Sequence, residues 1–383
     1  MAIYLDYNAT TPINSDVLEC MIDVYKNNYG NANSRTHDFG ANANKIVANS
    51  RKKVADLLNV KSDEVFFTSG ATESNNIAIQ GLIKYGKANN KKHIITSSIE
   101  HHSVLHTMKH LEEEGFSVDY VNPQSSGRID YKEVLSLVRE DTLLVSIMHV
   151  NNETGIIQPV KEIGEGLKDS NVFFHIDATQ SAGKLVKEIQ ELSYDMLSLS
   201  AHKFSGPQGI GVLVLRKKRY TLPPVKGIMF GGEQEHKIRP GTLPVALIAG
   251  IGKAAEIALE NFSEEMNSAI EIKKIVMNLI NESGLKYRIN GCEDYCIPTT
   301  INLCLEGVSS EALMVATKQY CGISNGSACT SQSYAPSFVL KAMGIPEDLI
   351  NNSIRLSWGP NTDISELKEM LFNLLEIAKG LVF

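Results

Sequence analysis

Cysteine is scarce in this chain, and histidine is absent from its last third. Six cysteines at uneven spacings among 383 residues exclude a disulfide framework and leave mostly free thiols. Cys292 and Cys296 have a spacing that metal sites use, yet no histidine follows His236, so a mixed cysteine and histidine zinc site has no partners there. We expect no metal site.

Long apolar runs and blocks of like charge are also missing. No apolar stretch reaches the roughly 20 residues of a membrane helix, and the amino terminus lacks the basic and then apolar pattern of an export signal. The net charge of −7 includes no basic block that could bind nucleic acid. We therefore expect a cytoplasmic protein without direct contact to membranes or nucleic acids.

Between about Glu64 and Arg216, short apolar runs alternate with amphipathic stretches, which is typical of parallel strands joined by crossover helices. The predicted strands are Val65–Thr68, His93–Thr96, Val118–Val121, Leu143–Met148, Val172–Ile176, Met196–Leu199 and Gly211–Leu215. The predicted helices between them are Ser74–Tyr85, Ser103–Glu114, Lys132–Arg139 and Lys161–Lys168. The pattern predicts an α/β fold with a mostly parallel seven-stranded sheet covered by helices.

The chain changes character after Arg216. Prolines and glycines between Tyr220 and Pro244 predict an extended loop, and a long helix then runs from Val245 to about Ile280 with an interruption near Asn261. Further short elements predict a smaller α+β layer: Thr300–Leu305, Glu311–Lys318, Ser337–Ala342, Ser353–Ser357 and Ser365–Ile377. We assign residues 16–260 to a large domain, and residues 1–15 and 261–383 to a small one.

Small residues follow the first predicted strand at the start of a helix, in a run that includes Gly70, Ala71 and Thr72. Backbone N–H groups at a helix amino terminus can bind phosphate. A glycine turn followed by an ordinary Thr or Ser N-cap explains the same run equally well. Neighbouring strands are needed to choose between these interpretations.

Two other strands deliver charged residues to the same edge of the sheet. Asp177 follows one of them and Lys203 follows another, and a buried ion pair is the ordinary interpretation of such residues. Pyridoxal phosphate needs a lysine for its Schiff base, a carboxylate for its ring nitrogen and a helix terminus for its phosphate. The three features together favour that cofactor. Gly206–Gly211 precedes a strand, which excludes a dinucleotide fingerprint.

Three further residues are candidates for chemistry. Cys329 stands in a run of small polar residues, about 324–336, where it is either a nucleophile or a bystander thiol. His101 follows a predicted strand at the ligand edge, although a histidine there can simply cap the next helix. Arg355 is a lone charge in an apolar strand, so it either pairs internally or binds a substrate carboxylate.

The motifs of this chain resemble those of the cysteine desulfurases, which are fold-type I pyridoxal phosphate enzymes of the class V aminotransferase group. The resemblance extends from the first residues to the last helix and is carried by Tyr4–Pro12, Thr68–Asn75, His149–Glu153, His175–Gln180, Ser200–Lys203 and Gly326–Thr330. It implies a homodimer that converts L-cysteine to L-alanine. The sulfur is held as a persulfide on Cys329 and then passes to an acceptor protein.

The resemblance also implies the role of each site residue. Lys203 binds the cofactor covalently and moves the substrate proton, while Cys329 accepts the sulfur. Asn152 and Arg355 bind the substrate carboxylate. The remaining cofactor contacts are assigned to Asp177 at the ring nitrogen, Gln180 at the phenolic oxygen, His101 stacked on the ring, Ala71, Thr72, Ser200 and His202 around the phosphate, Asn152 beside the cofactor, and Thr242 reaching the neighbouring subunit's cofactor.

The destination of the sulfur is a separate question. The stretches Gly30–Arg35, Ile228–Thr242 and Ser357–Pro360 are most similar to the desulfurases of DNA phosphorothioation systems. A desulfurase that supplies iron–sulfur cluster assembly or tRNA thiolation is an alternative, as is a selenocysteine lyase. A sulfur-carrier or scaffold subunit with a vestigial cofactor site is the alternative outside enzyme chemistry.

Overall fold

The computed structural model describes residues 2–326 and 336–382. Its main sheet has seven strands in the order β2-β8-β7-β6-β5-β3-β4. Smaller sheets join β12-β10-β9 and β1-β11. The strands are β1 Ile3–Tyr4, β2 Val65–Thr68, β3 His93–Ser97, β4 Ser117–Val121, β5 Thr142–Met148, β6 Phe173–Asp177, β7 Met196–Ser200, β8 Gly211–Leu215, β9 Tyr287–Ile289, β10 Thr300–Leu305, β11 Cys321–Gly322 and β12 Ser353–Ser357.

Helices cover both faces of the main sheet and one side of the smaller sheets. They are α1 Ser15–Asn27, α2 Asp38–Leu58, α3 Ala71–Gln80, α4 Ile83–Ala88, α5 His102–Glu113, α6 Tyr131–Ser136, α7 Val160–Leu167, α8 Val186–Glu191, α9 Val245–Glu282, α10 Ser310–Thr317, α11 Phe338–Ala342, α12 Glu347–Asn351 and α13 Ile364–Lys379. None of the helices in the described ranges is long and apolar enough to cross a membrane.

The predicted mostly parallel seven-stranded sheet is confirmed. Strand β8 runs antiparallel to both β2 and β7, and the other neighbouring pairs are parallel. Strands β2, β3, β5, β6 and β7 are buried along their whole length apart from the first residue of β6, as expected for strands covered on both faces. The carboxyl ends of these five strands therefore meet at one edge of the sheet, where ligands bind in open α/β folds.

The predicted helix Ser74–Tyr85 is wrong in its bounds. The structure has α3 from Ala71 and a separate α4, with Gly81 between them. A Cβ at Gly81 would lie 2.7 Å from the carbonyl oxygen of Lys226, so only glycine admits the neighbouring chain there. The earlier start is important because it brings the first turn of α3 to the end of β2.

The predicted interruption near Asn261 is also wrong, because α9 is continuous from Val245 to Glu282. Its buried residues form two groups, Val245–Ala258 and Ala269–Ile280, separated by a more exposed polar stretch. Asn and Ser lower helix propensity by only tenths of a kcal/mol, and the stretch has no Pro or Gly, so polarity alone does not end the helix.

The two buried groups of α9 belong to different cores. The first packs with α1, α2 and one face of the main sheet. The second packs with β10, β12 and α13, and Ile3 and Leu5 of the amino terminus join that core. Two separate cores are compatible with a large domain of residues 16–260 and a small domain of residues 1–15 and 261–383. The domain boundaries stay a prediction.

Candidate active site

A cavity of about 500 Å³ opens at the carboxyl edge of the main sheet. Five strands contribute to its wall through the residues that follow β2, β3, β5, β6 and β7. The amino-terminal segment and the small layer complete it with Asn8, Ala9, Gly326, Phe338 and Arg355. Ten predicted site residues line this cavity: Ala71, Thr72, His101, Asn152, Asp177, Gln180, Ser200, His202, Lys203 and Arg355.

Asp177 ends β6 in the middle of the sheet and is 4% exposed. Asn75 donates to its Oδ2 over 2.8 Å, while the backbone N–H of Thr179 donates to Oδ1 over 3.0 Å. The hydroxyl of Thr179 also donates to Oδ1. Hydrogen bonds of this kind stabilise the ionised carboxylate against its burial. These bonds fix the orientation of the buried Asp177 carboxyl group at the end of β6.

The first turn of α3 forms the wall opposite the end of β6. Its N-cap position is Gly70, and no side chain in the described part of the chain caps the helix there. Ser69–Glu73 of this turn line the cavity, and backbone N–H groups at the start of a helix have no acceptor within the helix, as an anion site requires. A Cβ at Gly211 would lie 2.6 Å from the Gly70 Cα, so the glycine in β8 permits the close approach of this turn.

Lys203 follows β7 and directs its amine toward the amino-terminal segment. Its Nζ donates to the carbonyl oxygens of Asn8 and Ala9 over 2.6 and 2.7 Å. Gln180 donates to the same Asn8 oxygen over 2.9 Å, whereas Oε1 of Gln180 is buried and has no hydrogen-bond partner among the described residues. The amino-terminal segment thus holds two predicted cofactor contacts in place.

His101 caps the next helix, as the ordinary interpretation predicted, and it also lies at the cavity wall. It is the N-cap of α5, where Nδ1 accepts from the backbone N–H of Ser103 over 3.1 Å, and it also lines the cavity. Burial lowers the pKa of His101, with Lys203 acting in the same direction and Asp177 against it. Both charged residues are therefore close enough to affect the imidazole, which is neutral at pH 7.

His202 precedes Lys203 in the chain and also lines the cavity. Burial, with the adjacent Lys203 charge, lowers the pKa of His202 to about 4. Its Nδ1 lies 3.0 Å from the hydroxyl of Thr10, another residue of the amino-terminal segment. The neutral ring can donate one hydrogen bond without bringing a second positive charge next to Lys203.

Arg355 of β12 projects from the small layer and is 2% exposed. It forms the internal pair that the sequence left open, with Nη2 lying 2.6 Å from Asp6. Nη1 donates to the backbone oxygen of Asn152 over 2.8 Å. Its Nε is buried with no partner in the described ranges, which leaves a donor at the cavity wall.

One predicted site residue within the described ranges is not part of this wall. Thr242 is exposed and lies outside the cavity. Cys329 lies outside the described residues. Cys304 is fully buried in β10, as expected for a structural cysteine. No cluster of three or more His, Cys, Asp or Glu side chains within residues 2–326 and 336–382 could hold a metal ion.

Sequence reasoning missed the residues that orient the predicted ones. Asn75 bonds to both Asp177 and Ser103, and Ser103 in turn bonds to Nδ1 of His101 over 2.8 Å. Asn8 and Ala9 accept from Lys203. Asn75 lies four residues after Ala71 on α3, so helical periodicity could have placed both on the same face of that helix. No local sequence pattern could have placed residues 8 and 9 beside residue 203.

Comparison with known proteins decides the family. The class V aminotransferase model matches residues 3–370. A cysteine desulfurase IscS of Vibrio cholerae serotype O1 (strain M66-2) is 42% identical over 99% of this chain and 93% of its own length. The chain belongs to the cysteine desulfurases of the class V aminotransferase family. Enzymes of this family depend on pyridoxal phosphate and have the fold-type I architecture found here.

Solved structures of other desulfurase-like proteins share the whole architecture. A structure titled NifS-like protein superposes with a TM-score of 0.91 and 35% identity, covering 100% of both chains. DndA from Streptomyces lividans has a TM-score of 0.81 and 40% identity, covering 92% of this desulfurase and 98% of its own chain. The predicted fold class is confirmed.

The cavity of this desulfurase fits pyridoxal phosphate. Its wall presents a lysine amine, a buried carboxylate and the uncapped helix turn after β2, which are the three groups that the cofactor requires. The buried oxygen of Gln180 and the buried Nε of Arg355 are polar atoms that a ligand in the cavity could satisfy. A volume of about 500 Å³ lies within the range of small-molecule sites.

Proposed function

We propose that this desulfurase takes the sulfur of L-cysteine onto Cys329 as a persulfide, releases L-alanine and then passes the sulfur to an acceptor protein. One observation carries the proposal: Lys203, Asp177 and the uncapped turn of α3 face one cavity. The relatives named cysteine desulfurase support the substrate, since the match extends over nearly the whole chain.

The residues of the cavity have distinct binding roles in this proposal. Lys203 holds the cofactor covalently, Asp177 keeps its ring nitrogen protonated and Gln180 contacts its phenolic oxygen. The phosphate is held by the turn at Ala71 and Thr72 together with Ser200 and His202. His101 stacks on the ring. When bound, pyridoxal phosphate withdraws electrons from the amino acid attached to it and so acidifies the proton on Cα.

Lys203 moves that proton in this proposal. Its amine is within reach of two backbone carbonyl oxygens, so a protonated Nζ has acceptors ready at Asn8 and Ala9. The neutral state of His101 keeps a second positive charge away from the ring. The bonds from Asn75 and Thr179 hold the Asp177 carboxyl group in place, where it would pair with the protonated ring nitrogen of the bound cofactor.

Asn152 and Arg355 orient the substrate through its carboxylate. The guanidinium is fixed from behind by Asp6 and the Asn152 backbone oxygen, which leaves Nε for the substrate. Arginine suits this task because its charge persists when buried. A free carboxylate in the substrate is therefore a requirement of the site.

The Cys329 thiolate then attacks the substrate sulfur. The new S–S bond forms as the bond between Cβ and sulfur breaks, and the electron pair of the broken bond stays with the carbon skeleton. Protonation of that carbon gives alanine. The thiolate rather than the thiol is the nucleophile in such a step.

A homodimer completes the proposal, with Thr242 contacting the cofactor of the partner subunit. Thr242 is exposed and does not reach the cavity of its own chain, which is compatible with this role. Phe230 of the same loop is 94% exposed. An aromatic side chain so exposed on a folded protein often marks an interface. Sedimentation analysis of the holoenzyme tests the dimer.

We further propose that the acceptor protein belongs to a DNA phosphorothioation system. The similarity of Gly30–Arg35, Ile228–Thr242 and Ser357–Pro360 to the desulfurases of DNA phosphorothioation systems supports this pathway over iron–sulfur cluster assembly or tRNA thiolation. The identities of 42% to the Vibrio cholerae IscS and 40% to the Streptomyces lividans DndA do not separate these pathways. Identification of the protein that receives radiolabelled sulfur from the loaded enzyme tests the choice.

The activity itself is tested with Cys329→Ser and the matched control Cys292→Ser. Purified proteins are supplied with pyridoxal phosphate and L-cysteine in the presence of a reductant, and alanine, sulfide and protein-bound persulfide are measured. We expect C329S to keep bound cofactor but lose the persulfide and sulfide release, with C292S unaffected. Sulfide release by C329S would indicate a lyase of the selenocysteine lyase kind instead.

A further inference from the structure

Residues near both ends of positions 327–335 meet at a single carboxylate. Gly326 precedes that segment and Ser337 lies just after it. The hydroxyl of Ser337 donates to Oε2 of Glu153. A Cβ added to Gly326 would lie 2.6 Å from the same oxygen. Glu153 thus contacts the chain on both sides of the segment that contains Cys329.

Glu153 is itself held firmly. It is 2% exposed, and its backbone N–H donates to Oδ1 of Asn151 over 2.9 Å. Asn302 of β10 donates to its backbone oxygen over 3.1 Å. These bonds connect the turn after β5 with the small layer, so the carboxyl group has a defined position at the cavity wall.

The approach of Gly326 to this carboxyl group requires glycine. Its φ of +103° lies in the region that other residues rarely adopt, and the space beside Glu153 admits no Cβ. Three residues of chain span at most about 11 Å, and Cys329 is the third residue after Gly326. The covalent chain alone therefore keeps Cys329 within about 11 Å of Gly326.

Ser337 anchors the other border and also starts a helix. Its side chain accepts from the backbone N–H of Leu340 over 3.1 Å as the N-cap of α11. The next residue, Phe338, lines the cavity, and its ring centroid lies 4.9 Å from that of His102. The contact with Glu153 consequently joins α11 to the substrate side of the cavity.

We propose that Glu153 is a positioning residue for sulfur transfer: its carboxyl group bonds to Ser337 and packs closely against Gly326, and it thereby fixes the described chain on both sides of positions 327–335, which include Cys329. This inference rests on the proposed role of Cys329 and adds a residue that contacts neither the ring nor the reacting sulfur. Glu153 acts after cofactor and substrate have bound. Burial raises the pKa of its carboxyl group, while Ser337 and Arg355 oppose that shift.

The test separates substrate binding from sulfur transfer in the holoenzyme. Binding is followed as the absorbance change of the bound cofactor when L-cysteine is added, and transfer as the rate at which Cys329 persulfide forms in a single turnover. For Glu153→Ala we expect transfer to slow by about 10- to 100-fold, as for other misplaced reacting groups. The concentration of L-cysteine that gives half of the absorbance change should stay within roughly twofold of wild type.

Two further variants distinguish positioning from general disruption. Glu153→Gln retains an oxygen that can accept from Ser337, so it should restore transfer to within roughly threefold of wild type. Ser337→Ala should slow sulfur transfer. Ser309→Ala is its matched control, because Ser309 is the N-cap of α10 and accepts from the backbone N–H of Ala312. This control should leave the rate of transfer unchanged. The double variant E153A/S337A should be no slower than the worse single variant, because both changes remove one contact.

Three results would overturn the inference. Transfer at the wild-type rate in E153A is the first. The second is a shift in the L-cysteine dependence as large as the loss of transfer, which would assign Glu153 to the substrate pocket. Additive losses in the double variant are the third. If C329S itself kept sulfide release, the proposed function and this inference would fail together, whereas the first three results leave the function intact.

Discussion

Asn75 donates a hydrogen bond of 2.8 Å to Asp177 and a second of 2.9 Å to Ser103, which in turn lies 2.8 Å from Nδ1 of His101. One amide on α3 therefore orients both the carboxylate and the imidazole of the cavity. All these groups except His101 are buried, so water is a poor substitute for the amide.

Replacement of Asn75 should weaken cofactor binding. A hydrogen bond to a charged group contributes about 1.5–3 kcal/mol, so Asn75→Ala should raise the dissociation constant for pyridoxal phosphate by roughly tenfold or more. Titration of the apoenzyme, followed by cofactor absorbance, measures this. Asn89→Ala is the control. The side-chain amide of Asn89 donates a hydrogen bond of 2.8 Å to the carbonyl oxygen of Tyr85, and Asn89 does not line the cavity. Equal effects of the two changes would contradict the assigned role.

Lys203→Ala should abolish the covalent attachment of the cofactor. We expect the purified variant to fold, to lose the yellow colour retained through gel filtration, and to release no sulfide from L-cysteine. Absorbance spectra before and after borohydride reduction measure the attachment. Lys132→Ala, at an exposed position on α6, should resemble wild type. A colourless wild-type protein after reconstitution would instead favour the vestigial-site alternative.

The approach of β8 to the turn that we propose as the phosphate site can be tested by Gly211→Ala. The new Cβ would lie 2.6 Å from both the Gly70 Cα and the Leu199 oxygen, so backbone atoms must move. We expect a loss of about 1–3 kcal/mol in the free energy of unfolding, measured by denaturant titration. Affinity for pyridoxal phosphate should fall more than affinity for pyridoxal, because only the phosphate uses the turn.

Gly380→Ala is the matched control for that change. Gly380 follows α13, has φ of −73° and would place a Cβ no closer than 3.4 Å to another atom. It should leave both the stability and the ratio of the two affinities unchanged. If G211A weakened pyridoxal and pyridoxal phosphate equally, the turn would not be the phosphate site.

The raised pKa of Glu100 predicts how the stability of the fold depends on pH. It is fully buried, and burial raises its pKa to about 8 from 4.5. Its contribution to stability is fully present below pH 4.5, where the carboxyl is protonated in both states. It is lost progressively as pH rises from 4.5 to about 8, where only the unfolded carboxyl is ionised, and it changes no further once the folded carboxyl ionises too. The melting temperature of Glu100→Gln should therefore rise relative to wild type between pH 5 and pH 9, as measured by thermal unfolding.

A constant difference in melting temperature across that range would show that Glu100 keeps an ordinary pKa in the folded protein. Glu311→Gln provides the comparison, since Glu311 is exposed at the start of α10. Its melting curve should follow wild type at every pH.

The sequence by itself determined the α/β class, the seven strands of the main sheet and the placement of Asp177, Lys203 and the turn after β2 at one edge of that sheet. This was possible because buried strands show as short apolar runs and because parallel strands place their carboxyl ends on one edge. Asp177 and Lys203 could thus be brought together without coordinates, although they are 26 positions apart. Other residues of the cavity wall, such as Asn152 and Gln180, came from the resemblance to the cysteine desulfurases.

Only the tertiary structure decided which residues hold those groups in place. Asn8 meets Lys203 across 195 positions, Asp6 meets Arg355 across 349, and Ser337 meets Glu153 across 184. Contacts over such separations leave no local period or spacing in the sequence. They arise because the amino-terminal segment and the small layer pack against the edge of the main sheet, and that packing is a property of the whole folded chain.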